Sequence, residues 1–385
     1  MTTPVLESLL APVDRTQFRE QYYGKQPLLI QGRPEKFAGL FTWDDLNRLL
    51  NASSWPHPDV QISPYYLQPD SAASVIEQCR AGASLIFNQI HQFDPKIGAL
   101  TRALEAETGE PANAVLFMSQ PAQAAAPIHY DRHDVFVLQV HGKKAWSVYE
   151  RTIDKPINGM DEEPGDPPKQ PMLKCKLAPG DVLYLPRGHW HQALAQQGLS
   201  MHLTFGLKAR TGIDFLTWLM DELRQDVRFR QELPLSFADE SAELRESRLR
   251  KHVAKLESLL RSRLRDDATV QSFAEHCVVS DSDARPFKFP AQLVEAPAAQ
   301  LELRHFSRPA HQRFILSDND GKVALSVWGN LFYFPKNTKP LIEFIVSRTA
   351  FSYDEALAHA GKLTEQGVRD VLNPLLREGI LEGSQ

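Results

Sequence analysis

Five short apolar runs lie between about residues 113 and 207: Val115–Met118, Val135–Val140, Ala145–Tyr149, Val182–Leu185 and Met201–Leu207. Gly- and Pro-rich turns separate them, and a polar, Pro-rich stretch, Asn158–Pro171 (NGMDEEPGDPPKQP), is inserted between two of them. Runs this short, bounded by turn residues, read as strands rather than helices. Several at this spacing predict a sandwich or barrel with antiparallel pairing.

The flanks have a different texture. In the first 50 residues Thr16–Tyr23 reads as helix, Pro27–Gln31 as strand, and Thr42 as the cap of a helix at Trp43–Leu50. Ala99–Thr108 is another expected helix. Helical spacing returns at Gly212, over Ile213–Arg228 and then over a long Leu-, Arg- and Glu-rich helix at Ser241–Arg265. Residues 278–300, rich in Pro and Ala, read as a linker. Strands are expected at Arg313–Leu316, Val323–Trp328 and Leu331–Phe334, then helices at Pro340–Arg348, Tyr353–Ala360 and Glu365–Glu378. Ser352 and Glu355 form a capping box for the second of these helices. Three short helices with a small ribbon have the texture of a winged helix. The expected domains are therefore 1–210, 211–277 and 278–385.

Composition narrows the function classes. A net charge of -5 argues against a nucleic-acid footprint spread over the surface. The last helix sets Glu365, Asp370 and Glu378 against Arg369 and Arg377, which is not the basic face of a DNA-reading helix. Direct DNA binding is not expected. Cys79, Cys175 and Cys277 stand far apart, so neither a disulfide framework nor a thiolate zinc site is indicated. The N-terminus lacks a basic stretch followed by an apolar one, and no apolar run is long enough to span a bilayer. These features fit a cytoplasmic protein without membrane attachment.

The central strands open on P-I-His129-Tyr-Asp131-Arg-His133. On a strand, residues two apart share a face, so His129 and Asp131 would project together. A histidine from another strand would complete a two-histidine, one-carboxylate face that leaves positions of an octahedral iron open. A lone His-x-Asp is weak: with 13 histidines about one is expected by chance, and His57-Pro58-Asp59 is read as such a surface pair. The central pair is set apart by the sequence downstream of it. A strand leads to Gly142 and Lys143-Lys144, and a Pro-Gly turn at Pro179 starts GDVLYLPRGHWHQA, which offers His189 and His191 as the third ligand.

The ordered set HYD, VFVLQ, GKKAW, GDVLYLPRGHWHQA and MHLT resembles the JmjC ribosomal oxygenases, which comprise bacterial ribosomal-protein arginine hydroxylases and nucleolar histidine hydroxylases. The resemblance is sharpest over about 113–207; Tyr22–Gln31 (YYGKQPLLIQ) and the order of the later regions extend it more loosely. It implies an α+β chain: a double-stranded β-helix (the JmjC/cupin jelly roll), a helical dimerisation region and a C-terminal winged-helix domain. It also implies Fe(II) on His129, Asp131 and His191, with 2-oxoglutarate and O2 as cosubstrates. Lys144 would pair with the distal carboxylate of 2-oxoglutarate, and Thr204 would offer it a hydroxyl. His133 and His189 then read as pocket-lining or surface residues, Lys143 as an exposed turn lysine, and Trp146 and Tyr149 as core. Many relatives carry a cosubstrate-contacting Asn where this chain has Ala114, which leaves Asn113 or Ser119 for that role.

The implied activity is hydroxylation of an arginine or histidine side chain in a ribosomal protein by a homodimer. The segments PRGHWHQA and MHLT lie closer to the histidine branch, whereas a bacterial source favours arginine. The rival readings are a JmjC oxygenase with a non-ribosomal substrate (demethylation of N-methyl-lysine or hydroxylation of a small amino acid) and a non-catalytic cupin-like binding protein. A zinc hydrolase on the same ligands would leave Lys144 unexplained.

Overall fold

The computed structural model describes residues 5–63, 65–121, 126–160, 165–196, 198–279, 287–309, 312–319, 321–327 and 330–385. Residues 161–164 of the expected inter-strand loop, 280–286 of the expected linker and Trp328 lie outside them. The chain divides into two compact units, 1–209 and 210–385.

The first unit holds two facing sheets. Its strands are β1 (Leu28–Ile30), β2 (Val60–Ile62), β3 (Leu85–Phe87), β4 (Ala112–Ser119), β5 (Asp134–His141), β6 (Lys144–Arg151), β7 (Leu173–Leu177), β8 (Val182–Leu185), β9 (His189–Ala195) and β10 (Ser200–Leu207). Seven of them form a major sheet in the order β1-β8-β5-β10-β4-β3-β2, and β7-β6-β9 form a minor one. Every strand pair within these two sheets is antiparallel.

The near-continuous apolar run of β5 follows from burial on both faces. Val135 and Val137 turn inward with Leu183 and Leu185 to meet Trp146, Val148 and Leu177 of the minor sheet. Phe136 and Leu138 point the other way, into a core shared with Phe18, Leu9, Leu10 and Leu104 of the N-terminal helices. The result is a JmjC/cupin-type β-sandwich with mixed α and β content, as expected.

Local expectations are largely met. Thr42 caps Trp43–Ala52 through a reciprocal box with Asp45. The Thr16–Tyr23 helix is present but widens at its end, where Tyr23 N donates to Phe18 O five residues back at 2.9 Å. The strands β2, β3, β7 and β9 were not expected. The first two are three-residue pieces that pairing alone defines. HWHQALA in β9 does not read as an apolar run, because its inner face carries His191 of the site.

In the second unit, helices at Gly212–Leu223, Ala242–Leu264 and Asp267–Val279 come first. The middle helix, capped by Ser241, has no buried residue along its length. Strands β11 (His305–Ser307), β15 (Ala350–Ser352) and β16 (Glu382–Ser384) form one small sheet, and β12 (Ile315–Asn319), β13 (Lys322–Val327) and β14 (Asn330–Pro335) form another. Helices at Lys339–Ser347, Tyr353–Ala358 and Glu365–Arg377 accompany them, the second with the expected Ser352–Glu355 capping box. Short helices at Ala291–Leu293 and Pro297–Gln300 replace part of the expected linker. Among the described residues no helix is long and apolar enough to cross a membrane.

Candidate active site

His129 and Asp131 do not share a continuous strand as expected. They sit in the irregular segment before β5, and His129 makes an isolated antiparallel bridge to His191 of β9. Two backbone bonds hold that bridge: His191 N to His129 O at 2.7 Å and His129 N to His191 O at 3.2 Å. Pairing across the bridge brings the two imidazoles together, with ring centroids 4.4 Å apart. One ligand atom from each of His129, Asp131 and His191 lies within 4.8 Å of the others, and His191 Nε2 is 3.6 Å from Asp131 Oδ2.

The two imidazoles are oriented for an ion. His129 Nδ1 lies 2.8 Å from Pro127 O, and His191 Nδ1 lies 3.0 Å from His189 O. A carbonyl oxygen only accepts, so each Nδ1 carries the hydrogen and each Nε2 presents its lone pair. Burial, with His129 beside it and against the pull of Asp131, holds His191 below the ordinary imidazole range. Two imidazole nitrogens and a carboxylate oxygen form the donor set of a divalent cation with positions left open. His189, its neighbour, is buried with Nδ1 turned to Pro186 O at 3.2 Å and is not part of the cluster.

Lys144 opens β6 on the inner face shared with Trp146 and Val148 and is 1% exposed. Its Nζ donates to Ser119 Oγ at 2.9 Å and to His202 Nδ1 at 3.3 Å. No carboxylate of the described residues pairs with it, and burial pushes its ammonium down to about 7. Burial and the neighbouring Lys144 hold His202 well below its usual range, so its ring nitrogen accepts. The Trp146 ring lies against both His191 (5.9 Å) and His202 (5.6 Å), linking the lysine pocket to the cluster. Trp146 is core, as expected, and Lys143 is exposed.

Thr204 lies two residues beyond His202 on the same face of β10, half-buried, and its hydroxyl has no partner among the described residues. Of the two polar groups left open by Ala114, Ser119 contacts Lys144. Asn113 stands at the other end of β4, where its Oδ1 and the His133 ring occupy the space that a Cβ on Gly206 would take. Sequence reasoning missed His202; its alternation with Thr204 in MHLT was the available signal.

Residues 87–215 of this chain match the JmjC domain family, in keeping with the fold and the cluster. Among its relatives, YxbC of Bacillus subtilis is 27% identical over 320 residues, 75% of this chain and 94% of that protein. Ribosomal oxygenase 1 of Rattus norvegicus is 30% identical over 266 residues, 61% of this chain and 43% of that protein. Ribosomal oxygenase 2 of the same species is 28% identical over 250 residues, 59% and 54% respectively. The chain thus spans about half the length of these ribosomal oxygenases. The fold matches the Escherichia coli ribosomal oxygenase YcfD in complex with cobalt and succinic acid, at a TM-score of 0.62 and 17% identity over 97% of this chain and 99% of that one. YcfD with cobalt and 2-oxoglutarate matches at 0.59 and 16% over the same shares.

Proposed function

We propose that this chain is an Fe(II)- and 2-oxoglutarate-dependent hydroxylase of an arginine or histidine side chain in a ribosomal protein. One observation carries the reading: a two-histidine, one-carboxylate cluster shares the space between the sheets with a buried lysine that lacks a carboxylate partner among the described residues. A buried cation without a counter-charge is costly, and a dicarboxylate cosubstrate supplies the missing charge. The names of the relatives and the cobalt and 2-oxoglutarate complex of YcfD support the same class.

His129, Asp131 and His191 would hold the iron, which when bound supplies the oxidising chemistry that couples 2-oxoglutarate decarboxylation to substrate hydroxylation. Lys144 fixes the distal carboxylate, with Ser119 and His202 holding its ammonium in place and Thr204 offering a hydroxyl. Trp146, Val148, Val135 and Val137 keep water out from between the sheets. In the second unit, the unburied faces of Gly212–Leu223 and Ala242–Leu264 suit self-association of the region 211–277, and 278–385 suits a winged-helix-like interaction module.

The test is to incubate the purified chain with Fe(II), 2-oxoglutarate, oxygen and ribosomal proteins, with Asp131→Ala as control. Succinate formation with one added oxygen on one protein, both lost in the variant, supports the proposal, and fragment spectra then assign arginine or histidine. Succinate without any ribosomal mass change refutes the ribosomal substrate. No succinate at all refutes the oxygenase.

A further inference from the structure

Two crossovers carry the cluster from the minor sheet to the major one. The chain leaves the His129–His191 bridge, passes Asp131 and enters β5 at Asp134. The other leaves β8 at Leu185, turns through Pro186-Arg187-Gly188 and enters β9 two residues before His191. These crossovers run side by side. Gly188 N donates to Asp131 O at 2.9 Å, and Arg187 N donates to Asp134 Oδ1 at 3.0 Å.

Asp134 is 1% exposed, yet it lies outside the cluster and the mechanism does not use it. Both its oxygens are engaged. Oδ1 takes the Arg187 amide, and Oδ2 accepts from the Tyr184 hydroxyl at 2.5 Å. That hydroxyl in turn accepts from Gly24 N at 2.8 Å. Its ring is wedged between Phe18 (centroids 4.8 Å apart) and Phe136 (5.1 Å). The carboxylate is therefore held from below by a fixed aromatic residue and holds, from above, the turn that delivers His191.

We infer that Asp134 is a positioning residue: its carboxylate staples the Pro186–Gly188 turn to the strand that follows Asp131, and so fixes the separation of the two arms that carry the metal ligands. The inference rests on the metal-centre reading of His129, Asp131 and His191. Partners that orient metal ligands typically change affinity by about 10–100-fold when lost. The geometry also fixes which substitution should be tolerated. Asn keeps an oxygen for the Arg187 amide, whereas Ala removes both contacts.

The test is titration of the metal-free full chain with Co(II) alone, reading its visible absorption, with far-UV circular dichroism as the fold control. Asp134→Ala should bind Co(II) about 10–100-fold more weakly and change the shape of the absorption bands. Asp134→Asn should stay within about threefold of wild type, and Tyr184→Phe should fall between the two. A folded Asp134→Ala that binds Co(II) as tightly as wild type overturns the staple. Should that variant fail to fold, Tyr184→Phe decides, since unchanged affinity and bands there overturn it equally. Wild type that takes up no Co(II) refutes the metal-centre reading itself, and the staple with it.

Discussion

Replacing Lys144 by Met should make the protein more stable and inactive at once. The ammonium is 1% exposed, with only Ser119 Oγ and His202 Nδ1 as partners among the described residues. A lysine that ordinarily titrates at 10.5 and here at about 7 must give up its proton to sit there at pH 8. That costs about 3 kcal/mol, at about 1.4 kcal/mol per pH unit. Methionine fills nearly the same space without this penalty and forfeits the hydrogen bonds to Ser119 and His202, each worth about 1 kcal/mol. The net gain of about 1 kcal/mol should raise the melting temperature by about 2–4 °C for a unit of this size.

The sign with pH comes from proton counting. Between pH 7 and 10.5 the unfolded chain holds the Lys144 proton and the folded chain does not, so wild-type stability rises across that window. The advantage of the Met variant should therefore be largest below pH 7 and fade as pH approaches 10. Calorimetry of the metal- and cosubstrate-free proteins across that range measures it. In parallel, 2-oxoglutarate binding should weaken by about 100-fold or more, as expected when one partner of a buried charge pair is removed. A Met variant that melts lower than wild type, or one that still turns 2-oxoglutarate into succinate at the wild-type rate, would refute the reasoning.

Thr204→Val should raise the KM for 2-oxoglutarate about fivefold with kcat unchanged, the effect of one hydrogen bond; steady-state succinate assays separate the two parameters. His191→Ala should abolish Co(II) uptake while His189→Ala retains it, because only the former presents a free Nε2 to the cluster. Gly188→Ala should destabilise the protein by about 2 kcal/mol or more, because its φ is +87° and a Cβ there would stand 2.9 Å from Ile153 O and from Pro156 Cδ; chemical denaturation reads this directly. If the region 211–277 self-associates, Leu249→Lys combined with Val253→Lys, both on the unburied helix Ala242–Leu264, should halve the mass seen by light scattering and leave the melting of the first unit unchanged.

The sequence by itself determined the strand texture of the central region, the helix starts at Thr42 and Ser352, and the residues HYD, GKKAW and GHWH as the ones to watch. The strand texture and the helix starts depend on local rules (side-chain alternation, turn residues and capping, each legible within a few positions), whereas the motifs stood out as an ordered set through the family resemblance. It also separated His57-Pro58-Asp59 from His129 and Asp131, although His57 is buried against Phe87 and Phe93 and not at the surface as expected. Its local reasoning went astray in placing His129 and Asp131 on one strand, since they share a site through the bridge to His191 and not through strand alternation. The resemblance chose His191 over His189, and in the tertiary structure His191, bridged to His129, lies in the cluster while His189 does not. Only the tertiary structure put His202 and Ser119 around Lys144 and Asp134 beneath the turn at Arg187. Those contacts join residues 25 to 58 positions apart in the pairs Lys144–Ser119, Lys144–His202 and Asp134–Arg187. They exist because two sheets close on each other, and no periodicity along the chain encodes which strands will meet.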